Sequence, residues 1–570
     1  MRTVLLSLAA IVLCAAAAPQ KIVLPAGPIE VGTLVTNANG LQVGADGKLQ
    51  RFDALLIDNR TGRVKKIYAA GEPHPGRVTD AVDVHGRTLL PGLIDAHGHV
   101  MGLGLSAIRL DLTGTSSLAD LQQRLREYAD ANADAWIVGR GWNQELWPDK
   151  RFPTAADLDA VVPERPVALE RVDGHALVVN SAALKAAGIT AATKDPTGGR
   201  IERDGQGRPT GLLIDAAAAL VEKIIPPPSP QQRDRAFAKA QDILLGFGIT
   251  AAADMGTSAE DWSLFHAAGK DGRLKVRIMA YSSGIKPVQT IPRAGPTDWL
   301  FGDGLRMGGV KLYADGALGS RGAWLKQPYA DKPDTRGLQF LTDAELREQA
   351  GWAARTGYQL AIHAIGDAAN AQVISLYEEL AKKYGRDRRW RIEHFQIADP
   401  ADIPRLAPAG IIASMQPTHQ TSDRLMAEKR LGPNRLAGAY AWQTVLKNDG
   451  RLALGSDFPV ESPNPFPGLA AAISRQDMEG QPPGGWIPSE HLTFEQALSG
   501  FTRDAAHAGY AESRIGSLEP GKWADFILVD RDPSKVDAQA LARTQVLETW
   551  VAGQKVWEKS SSVSATERGK

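Results

Sequence analysis

Eight short apolar runs alternate with helix-like stretches through the middle of this chain, the sign of βα units and a parallel sheet. In order they are RTLLPGLIDAHGH, GITAAADMG, KVRIMAYSSG, MGGVKLYADG, YQLAIHAIGD, RWRIEHFQ, GIIASMQP and RLALGSDFP. Eight is the number that closes a (β/α)8 TIM-like barrel. Most of the runs end in a polar or ionisable residue, and the C-terminal rim of such a barrel is where its chemistry sits.

The outer parts have a different texture. From Lys21 to Arg87 short alternating segments are punctuated by turns, with Asn39-Gly40 and Asp46-Gly47 as tight-turn pairs. A matching run, GSLEPGKWADFILVDRDP followed by VLETWVAGQKVWE, lies near the other end. Residues 20–87 and 506–559 are therefore expected to form one small β domain, flanking a barrel over 88–505. Between the first two barrel strands lie roughly 145 residues, too many for one crossover helix. They hold an amphipathic helix, SLADLQQRLREYADAN, and a hairpin signal, GRIERDGQGRPTGLL. Residues 105–245 are expected to form an inserted subdomain over the barrel mouth.

His97 and His99 end the first run one residue apart, and on a strand such residues point to the same face. The ends of later runs add Lys311, His363, His394 and Asp457. Imidazoles and a carboxylate converging on one rim suit a borderline metal, zinc before manganese, iron or cobalt. A lysine ammonium has no lone pair to offer. A desolvated lysine can lose its proton, and the neutral amine can add carbon dioxide to become a carbamate. That anion has two oxygens and can bridge two cations, so the site is expected to be binuclear.

The order His-x-His, Lys, His, His, Asp on strands 1, 4, 5, 6 and 8 resembles the amidohydrolase superfamily, over nearly the whole chain. The words LPGLIDAHGH, VKLYADGALGSRGAWL, IHAIGDAAN, RIEHFQ and SDFPV, with GRGWNQELWP and VDGHALVVNSAAL in the insertion, look like its family 3 branch, which includes N-substituted formamide deformylases. The resemblance implies that His97 and His99 hold the more buried metal with Asp457. It also implies that a carboxylated Lys311 bridges and that His363 and His394 hold the second ion. It further implies a terminal β-sandwich beside the barrel, and hydrolysis of an amide, N-formyl or cyclic amide bond by metal-activated hydroxide, with Asp457 as base and then acid. Ester or lactone cleavage, deamination on the same centre, and a ligand-binding barrel without turnover are the alternatives, because fold does not fix chemistry.

Six further residues are candidates for substrate contact. His175 could reach over the barrel mouth or organise the insertion with Asp173 and Asn180. Arg321 could hold a substrate carboxylate bidentately or brace its own loop. Trp142 and Trp324, with Trp147, could wall an apolar pocket or simply pack. His419 ends the seventh run and faces the rim.

Lys plus Arg equals Asp plus Glu, 65 each, so no overall field favours nucleic acid or an anionic membrane. The expected partner is a small molecule, with self-association left open. Arg2 followed by TVLLSLAAIVLCAAAAPQ has the form of a signal peptide over 1–19, implying export to a periplasm or secretion. The apolar stretch is short for a membrane span. The sole cysteine, Cys14, lies within it behind Leu13 rather than the small residue that lipidation requires, so no lipid anchor and no disulfide are expected. The polar tail, 560–570, is expected to be disordered.

Overall fold

The computed structural model describes residues 29–172, 174–291 and 295–560. The expected export signal, Cys14, Asp173 and all of the tail after Ser560 lie outside the described residues. At the centre is a sheet of eight parallel strands in sequence order. They are β1 (Leu93–Gly98), β2 (Ile249–Thr257), β3 (Arg277–Ser283), β4 (Leu305–Tyr313), β5 (Gln359–Ala364), β6 (Arg391–His394), β7 (Ile412–Met415) and β8 (Arg451–Leu454). Gly98 bridges Phe458, just beyond β8, in the parallel sense, so the sheet curls round to its first strand. The fold is a (β/α)8 barrel, with one strand in each run expected to hold one.

These segments form barrel strands because both their faces are covered, which is why they read as near-continuous apolar runs. The outer helices start and stop on local chemistry. Thr342 and Glu345 form a capping box ahead of Asp343–Thr356, which ends at Gly357 in the left-handed conformation. Phe237, Phe265, Tyr377 and Trp442 are buried in the core between strands and helices.

The first run divides between two domains. Thr88–Pro91 pairs with Phe526–Val529 and Asn39–Val43 in a six-stranded sheet, and only from Leu93 does the chain enter the barrel. Gly92 is the crossing point. A Cβ there would lie 2.2 Å from the Thr250 hydroxyl oxygen, so no side chain fits. The six-stranded sheet and a four-stranded one close on Val35, Leu55, Ile57, Leu89, Phe526 and Leu528, a β-sandwich drawn from both chain ends. Buried Arg277 at the start of β3 grips Asp525 through two bonds of 2.6 and 2.9 Å, tying sandwich to barrel.

Three expected boundaries shift. Asn39-Gly40 opens a strand rather than a turn; the left-handed residue is Asn37, and the Phe52 ring fills the space where a Gly40 Cβ would be. Asp46-Gly47 does turn, between Asn39–Val43 and Leu49–Phe52. The insertion has its own six-stranded sheet, from Leu110 to Asp215, with separate apolar cores. Helix Pro230–Gly246, expected within it, belongs instead to the barrel: Phe237 and Leu244 lie in the barrel's core, and Gly104 approaches the Ala236 carbonyl too closely for any Cβ. Likewise Ala506, Ala508, Ala511 and Ile515, placed with the sandwich by the sequence, plug the end of the barrel against Ile94 and Met279.

Candidate metal centre

His97 lies at the end of β1 and His99 just beyond it, as the N-cap of the next helix; Lys311 comes from β4, His363 from β5, His394 ends β6, and Asp457 follows β8. All six meet at the C-terminal rim. His394 (φ 78°) and Asp457 (φ 63°) sit in the left-handed region, which costs a non-glycine residue about 1–2 kcal/mol. Neighbouring backbone holds them there: the Asp457 amide donates to the His97 carbonyl at 2.7 Å, and the Phe395 amide to that of Ala364 at 3.2 Å.

The orientation of His97 is set from behind. Its Nδ1 lies 2.5 Å from the Glu393 carboxylate, which Arg391 also grips at 2.7 and 3.1 Å, all without solvent exposure. With Nδ1–H donating to Glu393, the Nε2 lone pair faces Lys311 Nζ at 3.4 Å and Asp457 Oδ1 at 3.5 Å. His99 Nε2 is 3.1 Å from the same Asp457 oxygen. His394 Nδ1 meets Gln416 Oε1 at 2.9 Å, which turns its Nε2 inward as the lone pair.

Ligand atoms of His97, His99 and Asp457 lie within 4.8 Å of one another, as do those of His394, His419 and Asp457. The His363 ring centroid is 4.5 Å from that of His394, which is 4.7 Å from His97. Nε2 of His363 and of His419 is buried with no hydrogen-bond partner among the described residues. A buried nitrogen left so costs about 1–3 kcal/mol; His363 Nε2 faces Asp315 Oδ1 at 3.6 Å, and His419, whose Nδ1 accepts from the Gln396 amide, turns an Nε2–H toward the rim. The donor set fits a divalent metal.

Protonation states agree with that fit. Burial, then the Lys311 charge, holds His97 down to about 4 and His363 to about 3, and burial pushes His394 well below its ordinary value. Burial lowers Lys311 to about 8, toward the neutral amine. Burial alone would raise Asp457; the His99 hydrogen bond and the nearby His97 and His419 outweigh it and hold the carboxyl at about 2. At neutral pH the rim therefore presents free imidazole lone pairs around a carboxylate.

A cavity of about 350 Å³ opens above the centre, its walls including Tyr313, Leu318, Met426, Val460, Asp423 and His419. Of the six substrate-contact candidates, only His419 lines it. Trp142 is fully buried in the insertion's core and donates from its indole to the Leu169 carbonyl; Trp147 packs beside it. Trp324 packs against the barrel core. Arg321 pairs with Asp331 at 2.9 and 3.2 Å, so it braces its loop. The His175 side chain is 75% exposed, with Nδ1 2.8 Å from Asp215.

Glu393, Arg391, Gln396 and Gln416 were not singled out from the sequence. The available signal was Arg-Ile-Glu-His inside an apolar strand: two charges at i and i+2, sharing a face that could only point into the barrel.

A family model described as "Amidohydrolase family" matches residues 80–557. The chain is 35% identical over 556 residues to the protein LONG AFTER FAR-RED 3 of Arabidopsis thaliana, covering 94% of this chain and 92% of that one. It is 29% identical over 548 residues to N-substituted formamide deformylase of Arthrobacter pascens, covering 93% and 99%. Among solved structures, an uncharacterised metal-dependent hydrolase from Pyrococcus furiosus superposes with a TM-score of 0.72 at 27% identity, over 88% of this chain and 100% of that one.

Proposed function

The chain belongs to the amidohydrolase family, and from that membership we propose that it hydrolyses a C–N bond in an amide, N-formyl or cyclic amide substrate. The observation that carries the reading is the group of buried imidazoles, His97, His363 and His394, held deprotonated beside ionised Asp457. Similarity to an N-substituted formamide deformylase over almost its whole length supports the choice of bond. His97, His99 and Asp457 would hold one divalent ion, with zinc the best match to the donors, and His363 and His394 a second. Lys311, buried and with a lowered pKa, is suited to bridge them as a carbamate.

The metal supplies a Lewis acid and lowers the pKa of water. The side chains do the rest. Asp457 is placed to take the proton of the attacking water and to return it to the departing nitrogen. His419, with its ring held by Gln396 at 3.0 Å and its Nε2 3.7 Å from Asp457, is placed to hydrogen-bond the carbonyl oxygen of the substrate. Glu393 keeps His97 in the tautomer that offers Nε2 inward. Export is a separate proposal, supported by the apolar leader of the sequence.

Metal content per chain, measured beside Lys311→Ala, tests the centre. Two ions in the wild type, falling to one or none in the variant, with chelator-sensitive hydrolysis of N-alkylformamides, is the expected result. No metal in either protein would refute the reading, and turnover of esters alone would move it to a different bond.

A further inference from the structure

The charge around the cavity mouth is one-sided. Lys311 is the only cationic side chain among Lys and Arg in its walls, and it lies at the floor within the ligand set. Two carboxylates, Asp423 and Glu461, stand in the wall above it. Asp423 accepts one hydrogen bond, from the Tyr440 hydroxyl at 2.7 Å, and Glu461 one from the Ser422 hydroxyl at 2.6 Å. Neither has an ion-pair partner among the described residues.

This is not for want of arginines nearby. Helix Pro417–Leu431 carries Asp423 and also Arg424 and Arg430, yet Arg424 turns to Asp477 at 3.0 Å and Arg430 to Asp331. Arg321 is committed to Asp331 as well. These three arginines are engaged elsewhere, and burial pushes the Asp423 carboxyl above its ordinary value. The wall between is apolar, from Tyr313, Leu318, Met426 and Val460. His419, 7% exposed with Nε2 unpartnered, marks the same space as the place where a ligand's polar groups arrive.

We infer that the substrate carries a cationic group, such as a primary ammonium, on a short apolar arm, and that Asp423 and Glu461 hold that group while the scissile carbonyl lies at the floor. This rests on the cavity being the substrate site of the hydrolase proposed above. It excludes what Arg321 suggested from sequence, a substrate recognised through a carboxylate at this mouth.

The test separates binding from turnover. Calorimetric affinities of n-hexylammonium and of hexan-1-ol are measured on the metal-loaded full chain at pH 7, for the wild type, Asp423→Asn and Glu461→Gln. Hydrogen bonds to charged groups predict that the ammonium binds about tenfold more tightly than the alcohol in the wild type, or more, and that each variant loses most of that advantage. Glu461→Gln leaves the Tyr440 contact intact, so it decides the matter if Asp423→Asn folds poorly. Equal affinities in the wild type, or an advantage that survives in both variants, would overturn the inference. Hydrolysis of neutral N-hexylformamide reports on the hydrolase reading independently: turnover without an ammonium preference sinks the inference alone, and ammonium preference without turnover sinks the reaction alone.

Discussion

Glu393→Gln tests whether the metal centre depends on the groups behind it. Glu393 is wholly buried and accepts from His97 Nδ1 at 2.5 Å and from Arg391 at 2.7 and 3.1 Å. The isosteric amide keeps one acceptor oxygen but points an NH2 group at either His97 or Arg391, both donors. It also leaves the Arg391 guanidinium buried without a counter-charge, although Ala96 and Ser414 oxygens still receive its Nη2 at 2.6 and 2.7 Å. Breaking a buried pair costs about 3–5 kcal/mol; with those two bonds retained, about 3 kcal/mol of unfolding free energy is expected to be lost. His97 also loses the acceptor that fixes its tautomer, and such partners are worth about 10–100-fold in metal affinity. Chelator competition and denaturant unfolding measure the two effects separately. A variant that binds metal within about threefold of wild type would refute the claim that Glu393 sets His97.

Two further perturbations bear on other parts of the molecule. Trp142→Ala is expected to cost about 3–5 kcal/mol of stability in the insertion, read as a lowered unfolding midpoint; a stable variant with only a raised KM would show that the indole serves substrate after all. His507, at the opposite end of the barrel, is held down to about 4 by burial and then by Arg389 and Arg451, against an ordinary 6.5. Between those values the unfolded chain binds more protons, so this group makes stability fall as pH drops from 6.5 toward 4. His507→Asn is expected to flatten that limb of the pH–stability curve, and an unchanged slope would assign the acid sensitivity elsewhere.

The barrel was legible because its strands are buried on both faces and announce themselves as apolar runs whose ends carry the chemistry. The candidate ligands could be lined up for the same reason: His-x-His and four later polar strand ends need no knowledge of contacts to be set on one rim. Domain seams were harder. Thr88–Pro91 and Leu93–Gly98 look like one strand, since periodicity cannot say which sheet an apolar run joins, and the decision lies in Gly92 having to pass Thr250. Helix Pro230–Gly246 was misplaced for an equivalent reason: its apolar face matches any core until Gly104 is seen to admit it.

The supporting groups were the least legible. His97 and Glu393 are separated by 296 positions, and no local pattern pairs them. The same holds at the mouth. Nothing in the sequence says that Arg321, Arg424 and Arg430 are each held by an aspartate. Only once those pairings are seen do Asp423 and Glu461 stand without an ion-pair partner among the described residues. The ligand types at a metal rim limit which reactions a chain can catalyse. The pairing of the surrounding charges, visible only in three dimensions, is what the proposed ammonium preference rests on.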